Sequence, residues 1–406
     1  MRILPISSGK GGVGKTTFAL NLALSLAKTR RTVLIDLDTG TSSLRHFLDA
    51  PSGKDLFHFL KKGSSLEECR QPLPPATDPE RAFANFSFIA SPRGFVHDIV
   101  NFTPGTRDML VQGINSLRAD YVIIDLKAGL DTHVLDFLPI ANSGIILFTP
   151  GLRAATMAAA EIAKAIIFRM LGIMLKAPRV RDLLSGPDGG QPSALFRRLL
   201  DFLQGGQDQD GKNLDDFIRD AAAQFPQENF IRVFRYYVEN FKIYFVLNKF
   251  NSMAESVENT IQPLVENIFR TVSGKVSFHN LGWVVENDEI KKSSETGIPY
   301  MVRRYYRNIQ SPAKPLDSDD SLRALCGLAI KKQLPEKKPV LAEQLRDQIE
   351  LLRSIYVCNA GNDPETNLDF IAARIAEFSA NSNHEFGMRH IFSEREFLER
   401  FQARIG

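Results

Sequence analysis

Cysteine is scarce. The 406 residues hold three, Cys69, Cys326 and Cys358, far apart and in no CxxC pair. That spacing speaks against a disulfide framework, a zinc knuckle and a thiol redox motif, and it fits a reducing cytosol. Net charge is nearly absent, at +3, so no broad basic field marks the chain for nucleic acid or an anionic membrane, and such a partner would need a local patch. Long uninterrupted apolar runs are missing as well. The most apolar segment, AATMAAAEIAKAIIFRMLGIML, carries Glu161, Lys164 and Arg169, and reads as a buried helix before a membrane span. The opening MRILPISSGK lacks the apolar core of a signal peptide and reads as a short buried strand. Tryptophan occurs once against 29 phenylalanines, an aromatic content that suggests packing. Repeats and low-complexity segments are absent.

What is present is a succession of strand-like runs, TVLIDLD, YVIIDL, SGIILFTP and IYFVLNKF, separated by helical stretches. This is the pattern of βαβ units around a mostly parallel sheet flanked by helices. A helical insertion is expected at about 177–240, with a polar surface loop at LQGGQDQDGKNLDD. Breaks at IQSPAKPLDSDDS and KKQLPEKKP bracket a short helix at 322–330, and the second break sets a main domain, 1–334, apart from a small, mainly helical C-terminal extension, 340–406. In the extension, Leu341, Leu345, Ile349 and Leu352 share one helical face. A last helix begins with Ser393 and Glu396 at capping-box spacing and Phe392 and Phe397 at staple spacing. Because every chemical motif lies upstream, the extension is expected to be dispensable for ligand binding.

The chemistry concentrates near the start. Gly9, four residues, then Gly14, Lys15 and Thr16 satisfy the phosphate-loop spacing, between a strand and an apolar helix as that motif requires. Backbone N–H groups of Gly9, Gly11, Gly12, Val13, Gly14, Lys15, Thr16 and Thr17 are candidates to surround phosphate oxygens. The helix N-terminus adds its positive dipole end, Lys15 reaches the β/γ-phosphates, and the Thr16 hydroxyl is a candidate Mg²⁺ ligand. NKFN at Asn248–Asn251 resembles the guanine-reading NKxD element of GTPases, but its fourth residue is Asn251. An amide presents a donor where aspartate offers two acceptors to guanine, so ATP is favoured over GTP.

The fuller string KGGVGKTT resembles the deviant Walker A loop of the MinD/ParA superfamily of P-loop ATPases. The resemblance implies that Lys10 crosses a dimer interface to the partner's nucleotide, so that charge stabilisation at the phosphates depends on dimerisation. VLIDLDTGTSSLRHFL is similar to switch I of that family, and YVIIDLKAGLD to its Walker B and switch II. By this resemblance Asp36 and Asp125 stand near the magnesium with Thr16, Asp38 orients the attacking water, and Asn248 contacts adenine. ADYVIIDLKAGLDTHVLDFLPIANSGIILFTP resembles the FlhG/FleN-like branch, and LGWVVENDEIKKSSETGIPYMV a segment that closes over the base. Lys127, where that branch commonly has glycine, and Ser43, where switch I often has asparagine, bear on hydrolysis and not on binding.

The reading is an ATP-dependent dimerisation switch, a slow and partner-stimulated Mg-ATPase with catalytic residues Lys10, Lys15 and Asp38. It would regulate position or assembly from the cytoplasm or peripherally at a membrane or pole, as a homodimer with a protein partner on the insertion or extension. Two alternatives remain: a partition ATPase touching DNA through Arg303, Arg304 and Arg307, and a nucleotide-locked scaffold with hydrolysis blunted by Lys127. An iron–sulfur carrier would need paired cysteines. The apolar stripe Phe397, Leu398, Phe401 and Ile405 either meets a membrane or, in the better reading, docks on its own domain or a partner.

Overall fold

The computed structural model describes residues 1–38, 43–50, 53–92, 103–140, 142–184, 194–203, 213–310, 339–358, 363–380 and 386–405. The breaks at 311–321 and 331–338, the helix at 322–330 and the centre of the polar loop, 204–212, lie outside the described residues.

Seven strands form one sheet: β1 Arg2–Ser7, β2 Thr32–Leu37, β3 Phe86–Ile89, β4 Tyr121–Leu126, β5 Asn142–Phe148, β6 Lys242–Phe250 and β7 Ser277–Val285. Their order is β3-β2-β4-β1-β5-β6-β7, and every pair is parallel. The fold is thus the α/β P-loop arrangement expected. The strands read as continuous apolar runs because helices cover both faces of the sheet. Alternate side chains enter two separate cores. Val33, Ile35, Val122, Ile124, Ile146 and Phe148 share one core with the helix Arg153–Met174, while Leu34, Ile123, Ile145 and Leu147 share the other with helix α1, Lys15–Ala27.

Pro5 sits in the central strand, where a missing N–H would ordinarily break a ladder. β1 pairs with β5 only from Ile6↔Ile145 onward. Before that point β5 bulges between Asn142 and Ile145, with Gly144 at φ 63°. The gap beside Ile3 is filled from the far end of the chain: Ile3 N–H donates to the Met388 carbonyl (2.7 Å) and Met388 N–H to the Ile3 carbonyl (2.9 Å).

Between β5 and β6 the chain forms Arg153–Met174 and then the helices Pro178–Leu184, Ala194–Leu203, Leu214–Gln224 and Asn229–Glu239, which share the first core. No helix among the described residues is long and apolar enough to cross a membrane.

The C-terminal helices pack directly on the main sheet. β7 is an edge strand, and edge strands carry unpaired backbone groups that must be covered. Here the helices Pro339–Cys358 and Pro364–Ala380 cover them. Gln348 Nε2 donates to the Phe278 carbonyl (2.9 Å), the Arg374 guanidinium to the Asn280 carbonyl (3.2 Å), and Val285 N–H to Asn367 Oδ1 (3.1 Å). A Cβ on Gly282 would lie 2.9 Å from Ile371, so the helix seats directly on the strand. Leu341, Leu345 and Ile349 are buried in one core, Leu368, Ile371 and Ile375 in the other. The Ser393 cap forms as its spacing implies, Ser393 N–H donating to Glu396 Oε2 (2.8 Å) and Glu396 N–H to Ser393 Oγ (3.2 Å). Phe397, Phe401 and Ile405 are buried in the chain's own first core, where membrane lipid cannot reach them.

Candidate nucleotide site

β1 ends at Ser7, and the loop that follows curls over the C-terminal edge of the sheet before α1 begins at Lys15. Three of its glycines are required by geometry. Gly12 and Gly14 have φ of 77° and 83°, the left-handed region that side chains disfavour. A Cβ on Gly9 would lie 2.3 Å from the Cβ of Ala158, and one on Gly14 would lie 2.7 Å from Asn248 Nδ2. Around Gly11 and Gly12 a Cβ would meet nothing within 4 Å, so that side of the loop is open to an approaching group. No side chain caps the N-terminus of α1 and no acidic residue lies in its first turn. Its leading N–H groups and dipole therefore stay available to an anion.

Register brings the acids together. Asp36 and Asp125 are opposite one another at the ends of β2 and β4, and both are fully buried. Lys15 Nζ lies 2.6 Å from Asp125 Oδ1, and Thr16 Oγ1 donates to Asp125 Oδ2 at 2.6 Å. Asp36 accepts from Asp38 N–H (3.0 Å), Leu44 N–H (3.2 Å) and the Ser91 hydroxyl (3.1 Å). Burial, and then the neighbouring Asp125 charge, push the Asp36 carboxyl up to about 7. Two buried carboxyl groups thus lie side by side, and the Lys15 ammonium pairs with one of them, Asp125. Among the described residues no group of three or more His, Cys, Asp or Glu could hold a metal alone. Two carboxylates and a hydroxyl fit Mg²⁺, a hard ion that takes few protein ligands and keeps water and phosphate oxygens.

The two loop lysines differ. Lys15 is only 7% exposed and turned inward, whereas Lys10 is exposed and makes no ion pair among the described residues. Lys127 pairs with Asp131 at 3.1 Å on the surface, while Gly129 N–H ties the same loop to the Ser8 carbonyl (2.9 Å). Residues 39–42 and the Ser43 side chain lie outside the described residues.

Beside the loop is a cavity of about 310 Å³, lined by Gly14, Thr17, Asn21, Asn248, Glu286 and Leu368 among others. Asn248 Nδ2 donates to the Val13 carbonyl (2.7 Å), tying the end of β6 to the loop. Lys249 next to it is one of three described non-glycine residues at positive φ, 57°. Leu368 comes from the helix Pro364–Ala380, and Val285, which also lines the cavity, is held by Asn367. Sequence reasoning missed both. A polar Asn367 beside the apolar series Leu368, Ile371 and Ile375 was the available signal.

Residues 4–300 match the family of the CobQ/CobB/MinD/ParA nucleotide binding domain. The chain belongs to that family. It is similar to the septum site-determining protein MinD of Helicobacter pylori, with 29% identity over 153 residues, 36% of this chain and 53% of that protein. It is similar as well to the flagellum site-determining protein YlxH of the same organism, with 30% identity over 165 residues, 40% of this chain and 52% of that protein. The chain spans about half the length of the curated relatives it matches. Among solved structures, MinD of Pyrococcus horikoshii complexed with Mg-ADP aligns at 15% identity and TM-score 0.41, over 78% of this chain and 99% of that one.

Of the MinD/ParA positions named from the sequence, the Gly9–Thr17 loop, Asp36, Asp125 and Asn248 converge on one site. Asp38 is joined to it through its N–H, which donates to Asp36, and Lys10 is exposed to solvent. The basic helix Tyr300–Gln310 packs on α1, where Met301 N–H donates to Asn21 Oδ1 (3.0 Å). There Arg304 pairs with Glu365 (3.3 Å) and Arg307 with Glu289 (2.7 Å), while Tyr306 OH donates to Asp78 (2.6 Å). Cys69 is buried and donates to the Asp55 carbonyl, its thiol pushed up to about 11 mainly by burial.

Proposed function

We propose that this chain is an ATP-dependent dimerisation switch, a slow Mg-ATPase that regulates the position or assembly of a larger structure in the cytoplasm, with hydrolysis stimulated by a protein partner. The observation that carries the reading is the division of labour on one loop: Lys15 is buried within the site, and Lys10 is exposed and makes no ion pair with a carboxylate among the described residues.

In this reading the loop N–H groups and Lys15 bind the nucleotide's phosphates, and Thr16, Asp36 and Asp125 hold magnesium with its waters. Magnesium supplies positive charge where phosphate charge develops during transfer. Asp38 orients the attacking water. Lys10 adds a second cation from the partner chain, so turnover requires two loaded chains. Asn248 keeps one amide hydrogen and its Oδ1 beyond the bond to Val13. That donor and acceptor pair matches adenine's N7 and N6 amine, whereas guanine offers two acceptors there.

The ion pairs on Arg304 and Arg307 give no support to the DNA-binding alternative. The exposed pairing of Lys127 with Asp131 supports the switch over a locked scaffold. The test is ATP turnover per chain against protein concentration. A rise with concentration that saturates as dimers form supports the switch. Constant turnover per chain, or none even in single-turnover conditions, would replace it with a monomeric ATPase or a scaffold.

A further inference from the structure

A second cavity, about 400 Å³, lies at the opposite end of β1 from the phosphate loop. Arg2 opens the strand there, and the rise of a strand puts it roughly 17 Å from Ser7. Its walls come from β1, from residues 138–140 and Asn142, from the helix Asn229–Glu239, from the segment 387–392 and from the last helix, Glu394–Ile405. Arg2, Arg389, Arg400 and Arg404 all line it, with Tyr236 and Tyr237, and no aspartate or glutamate among the described residues does.

None of these four arginines pairs with a carboxylate among the described residues, whereas several others do. Arg45 pairs with Asp55, Arg107 and Arg169 share Asp136, and Arg304 meets Asp363 and Glu365. Around the cavity the guanidiniums meet only neutral groups among the described residues. Arg2 donates to the carbonyls of Phe386 (3.2 Å) and Ser379 (2.8 Å), and Arg404 to Tyr237 OH (2.9 Å). Arg400 lies over the Phe392 ring at 4.2 Å. Arg389 has no hydrogen bond or ion pair among the described residues. The nearby carboxylate, Glu396, accepts from Ser393 and lies 3.6 Å from His390, not from an arginine. Burial, and then the Arg389 charge, pull the Arg2 guanidinium below its usual value, so the like charges oppose one another.

From the geometry we infer that this cavity binds a small organic phosphate carrying an aromatic ring. Guanidinium forks match phosphate oxygens in pairs of hydrogen bonds. The exposed ring of Tyr236 offers a face for stacking. The volume is that of a small-molecule site, which is about 300–1,000 Å³, and such a walled cavity suits a compact ligand better than a membrane surface or an extended acidic peptide.

The test uses the full chain saturated with Mg-ADP, so that the loop site is filled, and phenyl phosphate as probe in isothermal titration calorimetry. Inorganic phosphate, phenol, hexaglutamate and vesicles containing phosphatidylglycerol are the comparison arms. Phenyl phosphate is expected to bind once per chain and more tightly than phosphate or phenol. The pair Arg389→Gln and Arg400→Gln should weaken it at least tenfold while Mg-ADP affinity stays unchanged. Should the pair fail to fold, Arg389→Gln alone, which removes no bond within the described chain, should still weaken it at least threefold. No binding of phenyl phosphate would overturn the proposal, as would binding indifferent to Arg389. Binding of hexaglutamate or vesicles without phenyl phosphate would also overturn it and make the patch a macromolecular docking surface.

Discussion

Lys15 Nζ stands 2.6 Å from Asp125 Oδ1, at the meeting of the phosphate loop and β4, and both side chains are nearly inaccessible to water. Removing one partner of a buried pair leaves an uncompensated charge, which typically costs about 3–5 kcal/mol. Lys15→Ala is therefore expected to lower stability by about 3 kcal/mol and to abolish nucleotide binding. Adding Asp125→Asn should restore much of the stability and none of the binding. Urea unfolding and nucleotide titration of the single and double variants check this.

Asp36 makes stability depend on pH. Its carboxyl titrates at about 7 in the folded chain and at about 3.9 when unfolded, so the folded state binds the extra proton between those values. Its contribution is fully present below pH ~4, declines as pH rises to ~7, and changes no further above that. Asp36→Asn should remove that decline from the urea midpoint of nucleotide-free protein measured between pH 4 and 8. An unchanged profile would mean that Asp36 ionises freely.

Asn367 tests the edge of the sheet. It is fully buried and accepts from Val285 N–H at 3.1 Å, beside the cavity next to the loop. Asn367→Ala strands a buried donor, which costs about 1–3 kcal/mol. Thermal unfolding should show that loss, and ATP affinity should fall with it although no loop residue has changed. Deleting 363–405 should leave no folded ATP-binding domain.

The loop and the hydrolytic acid separate binding from turnover. Gly14→Ala would put a Cβ 2.7 Å from Asn248 Nδ2 at a φ of 83°, and should lose ATP binding altogether. Asp38→Ala should keep binding and lose turnover. Labelled ATP and GTP titrations on wild type should favour ATP; equal affinities would contradict the role given to Asn248 and Asn251.

The phosphate loop, the strands β1, β2, β4, β5 and β6 and the acids at the ends of β2 and β4 were legible in the sequence because each is local: a glycine spacing, an apolar run, an aspartate at its end. The role of the C-terminal helices was not. Periodicity identified Leu341, Leu345 and Ile349 as one face, but it cannot say that Gln348 and Asn367 on such faces serve backbone groups of a strand some seventy to eighty residues away. Edge covering is a long-range pairing, and a single sequence holds only the anomaly of a polar residue inside an apolar stripe.

The central claim is that Lys15 and Lys10 serve different chains. Molar mass by light scattering, for wild type and Lys10→Ala with Mg-ATP and with Mg-ADP, tests it most directly. Wild type is expected to be a dimer with ATP and a monomer with ADP, and because linkage is reciprocal, dimerisation should tighten ATP binding by the same factor. Lys10→Ala is expected to bind ATP through Lys15 and to stay monomeric with either nucleotide. A Lys10→Ala protein that dimerises with ATP as fully as the wild type would contradict the account.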